Sequence, residues 1–222
     1  MPRADRKDES AESIARSGRI CSIAAIAYCR SSLPRRVTLS ILRHIRLAYS
    51  CYLSKLQSDR PVYRAIRRWR ARKIVELGIA NGQRALRMIE VAKLSSPGQE
   101  VHYVGFDPFE GRSEADRPGL TLKAAHQLLR RDGVRVQLIP GEPADSLIQV
   151  ANSLGKVDLL ILPAALDSAC FARMWFFAPR MLHERSLVFV ERKSEDGGTL
   201  LAVKPRCEIA VLASLGARRQ AA

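Results

Sequence analysis

The sequence predicts an α/β fold: three αβα layers around a mostly parallel sheet of five to seven strands, with a helical extension at the N-terminus. Three observations carry this. Beyond residue 72, short apolar runs alternate with segments of helical period. One of those runs, Val157–Leu162, is almost continuously apolar, as a strand buried on both faces is. The charge is divided unevenly as well. The 222 residues carry a net charge of +15. Residues 1–72 hold 17 Lys+Arg against 5 Asp+Glu, and residues 73–222 hold 20 against 17. A basic extension, 1–60, is therefore expected ahead of an α/β domain, 61–222. The 150 residues after position 72 can bury roughly 70% of their unfolded surface, enough for a core of their own. A composition of 47% apolar and 27% charged residues excludes a wholly disordered chain.

The elements follow in order. Residues 1–19 are polar and mixed in charge and are expected to be disordered. Val37, Ile41, Ile45, Ala48, Tyr52 and Leu56, joined by Leu42, Tyr49 and Leu53, recur at three- and four-residue steps. They predict an amphipathic helix over about 37–56, with Thr38 as N-cap after Pro34. A short second helix is predicted over Pro61–Arg70, with Pro61 in its first turn and Ser58 or Asp59 as cap. The body then reads strand Lys73–Leu77, helix Gln83–Leu94, strand His102–Phe106, helix Leu120–Arg131 and strand Val134–Ile139. It continues with helix Ala144–Leu154, strand Val157–Leu162, helix Asp167–Leu182 and strand Ser186–Val190. Right-handed crossovers between such strands make a parallel sheet. Thr199–Val203 reads as a closing strand, and Glu208–Leu215 as another strand or a short helix.

Arg64, Arg67, Arg68, Arg70 and Arg72 crowd the second helix. Two readings are open. Residues 30–72 form a patch for nucleic acid or an anionic membrane surface, or the arginines form a solvated helix face. The five cysteines, Cys21, Cys29, Cys51, Cys170 and Cys207, are odd in number and lack C-x-x-C spacing, which argues against a disulfide framework or a zinc site. Ile20–Cys29 spans ten residues, too few to cross a bilayer. Asp5, Asp8, Glu9 and Glu12 precede it, Tyr28 stands before Cys29, and no A-x-A site follows. The expectation is a cytoplasmic protein without a cleaved signal or a transmembrane helix.

In a sheet of this kind, ligands bind beyond the carboxyl ends of the strands. After the first strand come Gly78-Ile79-Ala80-Asn81-Gly82, whose glycines allow a tight turn and a close backbone approach. The helix that starts near Gln83 offers free N–H groups. After the second strand comes Asp107, 25 residues beyond Gly82, where an acid can accept from ribose hydroxyls. After the third come Gly141 and Glu142. The dinucleotide fingerprint G-x-G-x-x-G fails, because Ala80 and Gln83 stand at its second and third glycines. The P-loop fails for want of G-K-[ST].

These residues resemble class I S-adenosylmethionine-dependent methyltransferases. The likeness lies in E-x-G-x-x-x-G at Glu76–Gly82, an acid after the second strand and G-[DE] after the third. It covers about residues 60–191, with Ile74–Gly82 and Val104–Glu110 the specific part. It implies a Rossmann-like fold and S-adenosylmethionine as cofactor. It implies a cofactor site of Glu76, Gly78, Ala80, Asn81, Gly82, Asp107, Pro108, Phe109 and Glu142. By that resemblance Gly78 and Gly82 pass the methionine end, Asp107 holds the ribose hydroxyls, Pro108 and Phe109 border the adenine, and Glu142 lies near its amine. Ala80 replaces the middle glycine of the usual motif.

Asp158-Leu-Leu-Ile-Leu-Pro163 resembles the D-L-I-x-I-D-G stretch of small-molecule O-methyltransferases, with Pro163 where the second, metal-binding Asp stands. No metal site is therefore expected. No N-P-P-Y-type motif is present. The acceptor implied is a small molecule. The catalytic residue is not identified; Asp167, just past the fourth strand, is the one candidate on the right edge. His102 falls in a strand, His44 in the first helix, and His126 and His183 in or at the end of helices. A rival reading is a non-catalytic binding protein on the same fold. The oligomeric state is not legible.

Overall fold

The computed structural model describes residues 35–53, 57–112, 119–164, 168–193 and 199–220. The chain divides into two compact units, residues 1–45 and 46–222. Helix α1 (Arg35–Ala48) begins in the first unit and is followed by one π-helical turn, Tyr49–Leu53. The helix expected over about 37–56 thus ends at Ala48. Ile41, Leu42, Ile45, Tyr49, Tyr52 and Leu53 of its apolar stripe are exposed, whereas Leu47 and Cys51, four residues apart and off that stripe, are buried.

Helix α2 (Arg60–Trp69) buries Val62, Tyr63 and Ile66 and turns Arg64, Arg67 and Arg68 outward. Pro61 sits in its first turn, where a missing N–H costs nothing. Asp59 occupies the N-cap position, but its carboxylate accepts from Tyr63 Oη (3.3 Å) instead of capping. The helix stops at Arg70, which is left-handed at φ 51°.

Six strands follow: β1 (Lys73–Leu77), β2 (Val101–Asp107), β3 (Val134–Pro140), β4 (Val157–Leu162), β5 (Leu182–Lys193) and β6 (Thr199–Val203). Their order is β3-β2-β1-β4-β5-β6. All neighbours pair in parallel except β6, which runs antiparallel to β5. The chain builds outward from β1 to β3, then returns to place β4 on β1's other side. The switch point of this Rossmann-like sheet therefore lies between β1 and β4.

The remaining helices are α3 (Gln83–Ser95), α4 (Leu122–Leu129), α5 (Pro143–Leu154), α6 (Ser168–Met181) and α7 (Arg206–Gln220). Strand alternation sorts the core into two layers. Ile74, Tyr103, Leu159, Ile161 and Phe189 pack against Tyr63, Ile66, Met88, Ile89 and Leu129 of α2, α3 and α4. Val75, Phe106, Leu160 and Val188 pack against Leu147, Met174, Trp175 and Ile209 of α5, α6 and α7. Among the described residues, no helix is long and apolar enough to cross a membrane.

One expectation is corrected here, and one open alternative is decided. The sequence pattern puts His183 at a helix end, but β5 begins at Leu182, so His183 lies in a strand. The β4–β5 register shifts between Val157 and Leu159, and Ser186 Oγ accepts from His183 N (2.7 Å). A side chain thus supplies the bond that the irregular ladder lacks, and the strand starts four residues early. The segment from Glu208 to Leu215, whose sequence reads as a strand or a short helix, belongs to α7, which turns Ile209 and Leu212 inward one helical turn apart.

Candidate functional site

β1 ends in a turn that L-residues adopt with difficulty. Gly78 (φ 80°), Ala80 (φ 52°) and Gly82 (φ 72°) all lie in the left-handed region. Gly78 N donates to Phe106 O (2.8 Å), and Gly82 N to Ile79 O (2.9 Å). A Cβ on Gly82 would also stand 2.7 Å from Leu128 Cδ2 and 2.8 Å from Leu120 Cδ1. Glycine is required there for space as well as for φ. A Cβ on Gly78 would meet Pro163 at an ordinary 3.8 Å. Asn81 Oδ1 accepts from Gln83 N (3.1 Å) and so starts α3.

Asp107, the last residue of β2, is 2% exposed. Its Oδ2 accepts from Ile79 N (2.8 Å) and Ala80 N (3.1 Å), and its Oδ1 from Phe109 N (2.8 Å). Arg112 forms an ion pair with Oδ1. It also donates to Leu120 O (3.0 Å) and Ala80 O (3.4 Å). Two sequence motifs that lie 25 residues apart are thus joined by one carboxylate. Phe109, buried and left-handed at φ 47°, opens the 3-10 turn Phe109–Gly111. Pro108 is half-buried beside it. Glu110 accepts from Leu122 N (2.9 Å) and Thr121 caps Ala124 N (3.1 Å), together fixing the start of α4.

Pro140 pairs in register with Asp107, and Gly141 N donates to Asp107 O (3.2 Å). This brings Glu142 to the same edge, exposed at the N-cap position of α5 and making no cap bond. Asp145, in the first turn of α5, stands 3.4 Å from Arg173 Nη1.

Glu76 sits apart from this cluster. It is fully buried on β1, and its carboxylate accepts from Arg84 Nε (2.6 Å) and from Tyr103 Oη. Arg84 also pairs with Glu191 on β5 and lies 3.5 Å from Gly78 O. Burial pushes the Glu76 pKa up, and the Arg84 charge and the Tyr103 bond oppose this without cancelling it. Burial and the adjacent Glu76 charge push Tyr103 well above its usual value. The network ties β1, β2, β5 and the first turn of α3 together.

Asp158 lies at the other edge of the sheet. It accepts from Arg72 N (2.8 Å), Lys73 N (2.9 Å) and His183 Nε2 (2.9 Å). Burial alone would raise its pKa. The two amides and His183 outweigh burial and hold it below the usual value. The acid of the D-L-L-I-L-P stretch is thus at the amino edge, and Pro163 is at the carboxyl edge. Asp167 falls outside the described residues. Among the described residues, no three His, Cys, Asp or Glu side chains converge as a metal set. His102 pairs with Glu100 (2.8 Å) at the start of β2, and His126 is exposed on α4.

The structure therefore gathers Gly78, Ala80, Gly82, Asp107, Pro108 and Phe109 at the carboxyl edge of β1 and β2, beside the switch point, with Asn81 and Glu142 on the rim. It turns Glu76 toward Arg84 and Tyr103. Sequence reasoning missed Arg112, Arg84, Tyr103 and Glu191. The one available signal was an arginine five residues past the Asp107 acid.

The chain is similar to an O-methyltransferase from Bacillus cereus in complex with SAH, at 19% identity, over 78% of this chain and 74% of that one, with a TM-score of 0.46. It is similar to an SAH-bound methyltransferase from Podospora anserina, at 17% identity, over 87% and 80%, with a TM-score of 0.46. It is also similar to a calicheamicin methyltransferase, at 16% identity, over 72% and 79%, with a TM-score of 0.43. No family model matches the chain, and no curated protein matches it.

Proposed function

We propose that this chain is a class I methyltransferase that binds S-adenosylmethionine at the carboxyl edge of β1, β2 and β3 and acts on a small-molecule acceptor. The observation that supports this best is the bonding of Asp107 to the amides of Ile79 and Ala80. It makes the acid and the glycine turn one wall at the carboxyl edge beside the topological switch point, the edge where open α/β sheets take their ligands.

The residues fit the group by their chemistry. A carboxylate at the end of β2 accepts from a vicinal diol. A left-handed turn with glycines at both ends lets the backbone approach the amino-acid end. Phe109 and Pro108 supply an apolar border for a base, and the exposed carboxylate of Glu142 suits an exocyclic amine. When bound, S-adenosylmethionine supplies the electrophilic methyl group. The chain's own part is to hold that group and the acceptor's nucleophile in line, which by itself removes much of the barrier.

Titration calorimetry of S-adenosylmethionine and of its demethylated product tests this. The wild type is expected to bind both saturably, and Asp107→Asn to lose at least tenfold in affinity. A wild type that is folded by circular dichroism yet binds neither overturns the reading.

Pro163 favours a second reading. It faces Gly78 at the carboxyl end of β4, where related small-molecule O-methyltransferases carry an aspartate. A non-catalytic protein that retains cofactor binding would fit that replacement. Cofactor binding without methyl transfer to any of a panel of phenolic, hydroxyl and carboxylate acceptors would support it.

A further inference from the structure

We infer that Arg112 is a latch on the nucleoside end of the cofactor site, holding one lone-pair position of Asp107 closed until a ribose hydroxyl takes it. This rests on the cofactor reading proposed above and adds a specificity residue to it. A carboxylate offers about four lone-pair positions. Asp107 fills them with four donors: the amides of Ile79, Ala80 and Phe109, and the guanidinium of Arg112. No position is left for a ribose hydroxyl.

The four donors are not equally able to leave. Three are main-chain groups, and two of those belong to the left-handed residues Ala80 and Phe109. Withdrawing them would unmake the turn that forms the site. Arg112 is a side chain, and rotating it away breaks no backbone structure. It is also placed to block. Its side chain is 8% exposed, and it bridges Leu120 O and Ala80 O across the turn. Its guanidinium packs flush on Gly119, where an added Cβ would collide with Nη1. Gly119 is not among the glycines with a left-handed φ, so its lack of a side chain serves the space that Arg112 occupies.

A site open for only a fraction of the time binds more weakly by that fraction. Two changes remove the latch by independent routes. Arg112→Gln removes the charge, and Gly119→Ala pushes the guanidinium out without altering it. The test measures binding of adenosine and of S-adenosylhomocysteine to the full chain, by calorimetry for affinity and by stopped flow for association rate. Both variants are expected to bind about tenfold tighter, which corresponds to about 1.4 kcal/mol. The wild-type association rate is expected to level off at high ligand concentration, as latch opening becomes limiting, and the variants' rates to keep rising. A wild type that binds, with both variants binding equally or more weakly, overturns the latch and leaves the cofactor reading standing. Folded wild type and variants that bind neither probe overturn the cofactor reading, and the latch with it.

Discussion

Asp107 and Asp158 bracket the same strand from opposite ends. Asp158 takes the amides of Arg72 and Lys73, where β1 begins. Asp107 takes those of Ile79 and Ala80, just past where it ends. Each is also paired with a cationic or titratable side chain, His183 for one and Arg112 for the other. By bonding pattern alone the two aspartates are nearly interchangeable. Burial, strain and position separate them. The Asp158 side chain is 33% exposed and that of Asp107 3%. Asp107 is flanked by two left-handed non-glycine residues, whose strain persists only where the surroundings enforce it. Asp107 also stands at the carboxyl edge, one strand from the switch point, and Asp158 at the edge where open sheets do not take ligands. A capped amide pair therefore marks a joint in the fold, and only its place in the topology makes it a candidate site.

The largest test of that contrast is Asp107→Ala. It strips three amides of their acceptor. A loss of about 3–5 kcal/mol in urea unfolding is expected, since each buried amide left without a partner costs about 1–3 kcal/mol. Asp158→Ala removes the same kind of cap from a half-exposed edge. It is expected to cost about 1–2 kcal/mol and to leave cofactor affinity unchanged. Equal losses at the two positions would erase the distinction.

The smallest effect is in acid. The Asp158 carboxyl titrates lower when folded than when unfolded. Its contribution is therefore present above the unfolded value and is lost as pH falls through the folded one. Wild type should shed this part of its stability below about pH 4. In Asp158→Asn that part of the acid limb should be absent, as read from urea midpoints between pH 7 and pH 3. An unchanged limb would mean that the amides of Arg72 and Lys73 hold the carboxylate no better than water does.

Much of the body was legible because its signals are local. The bounds of β1, β4 and β6 are those that their apolar runs predict, and α3 and α5 start within one residue of expectation. The order of acid and glycine turn along the chain also placed Asp107 and the Gly78–Gly82 turn on one edge of the sheet, but not the bonds from Asp107 to the Ile79 and Ala80 amides. What failed depends on distance. Arg84 reaches Glu191, 107 residues away, to complete the Glu76 network, and no spacing rule announces it. Arg112 acts by reaching back to Asp107 and Ala80, which periodicity does not record. The apolar stripe of α1 was visible as a pattern, but the pattern does not say which face is buried. Leu47 and Cys51 took that place.

The strand order also sets a schedule for the growing chain. β1 gains β2 within about 30 residues, but its second neighbour, β4, ends at Leu162. At roughly 5–20 residues per second of synthesis, the far edge of β1 waits roughly 4–17 s for its partner. The Asp107 bracket can close during that interval. The Asp158 bracket cannot, since its aspartate arrives on β4 itself. Both partners of the Asp107 bracket are thus present in the growing chain before the aspartate of the Asp158 bracket has been made.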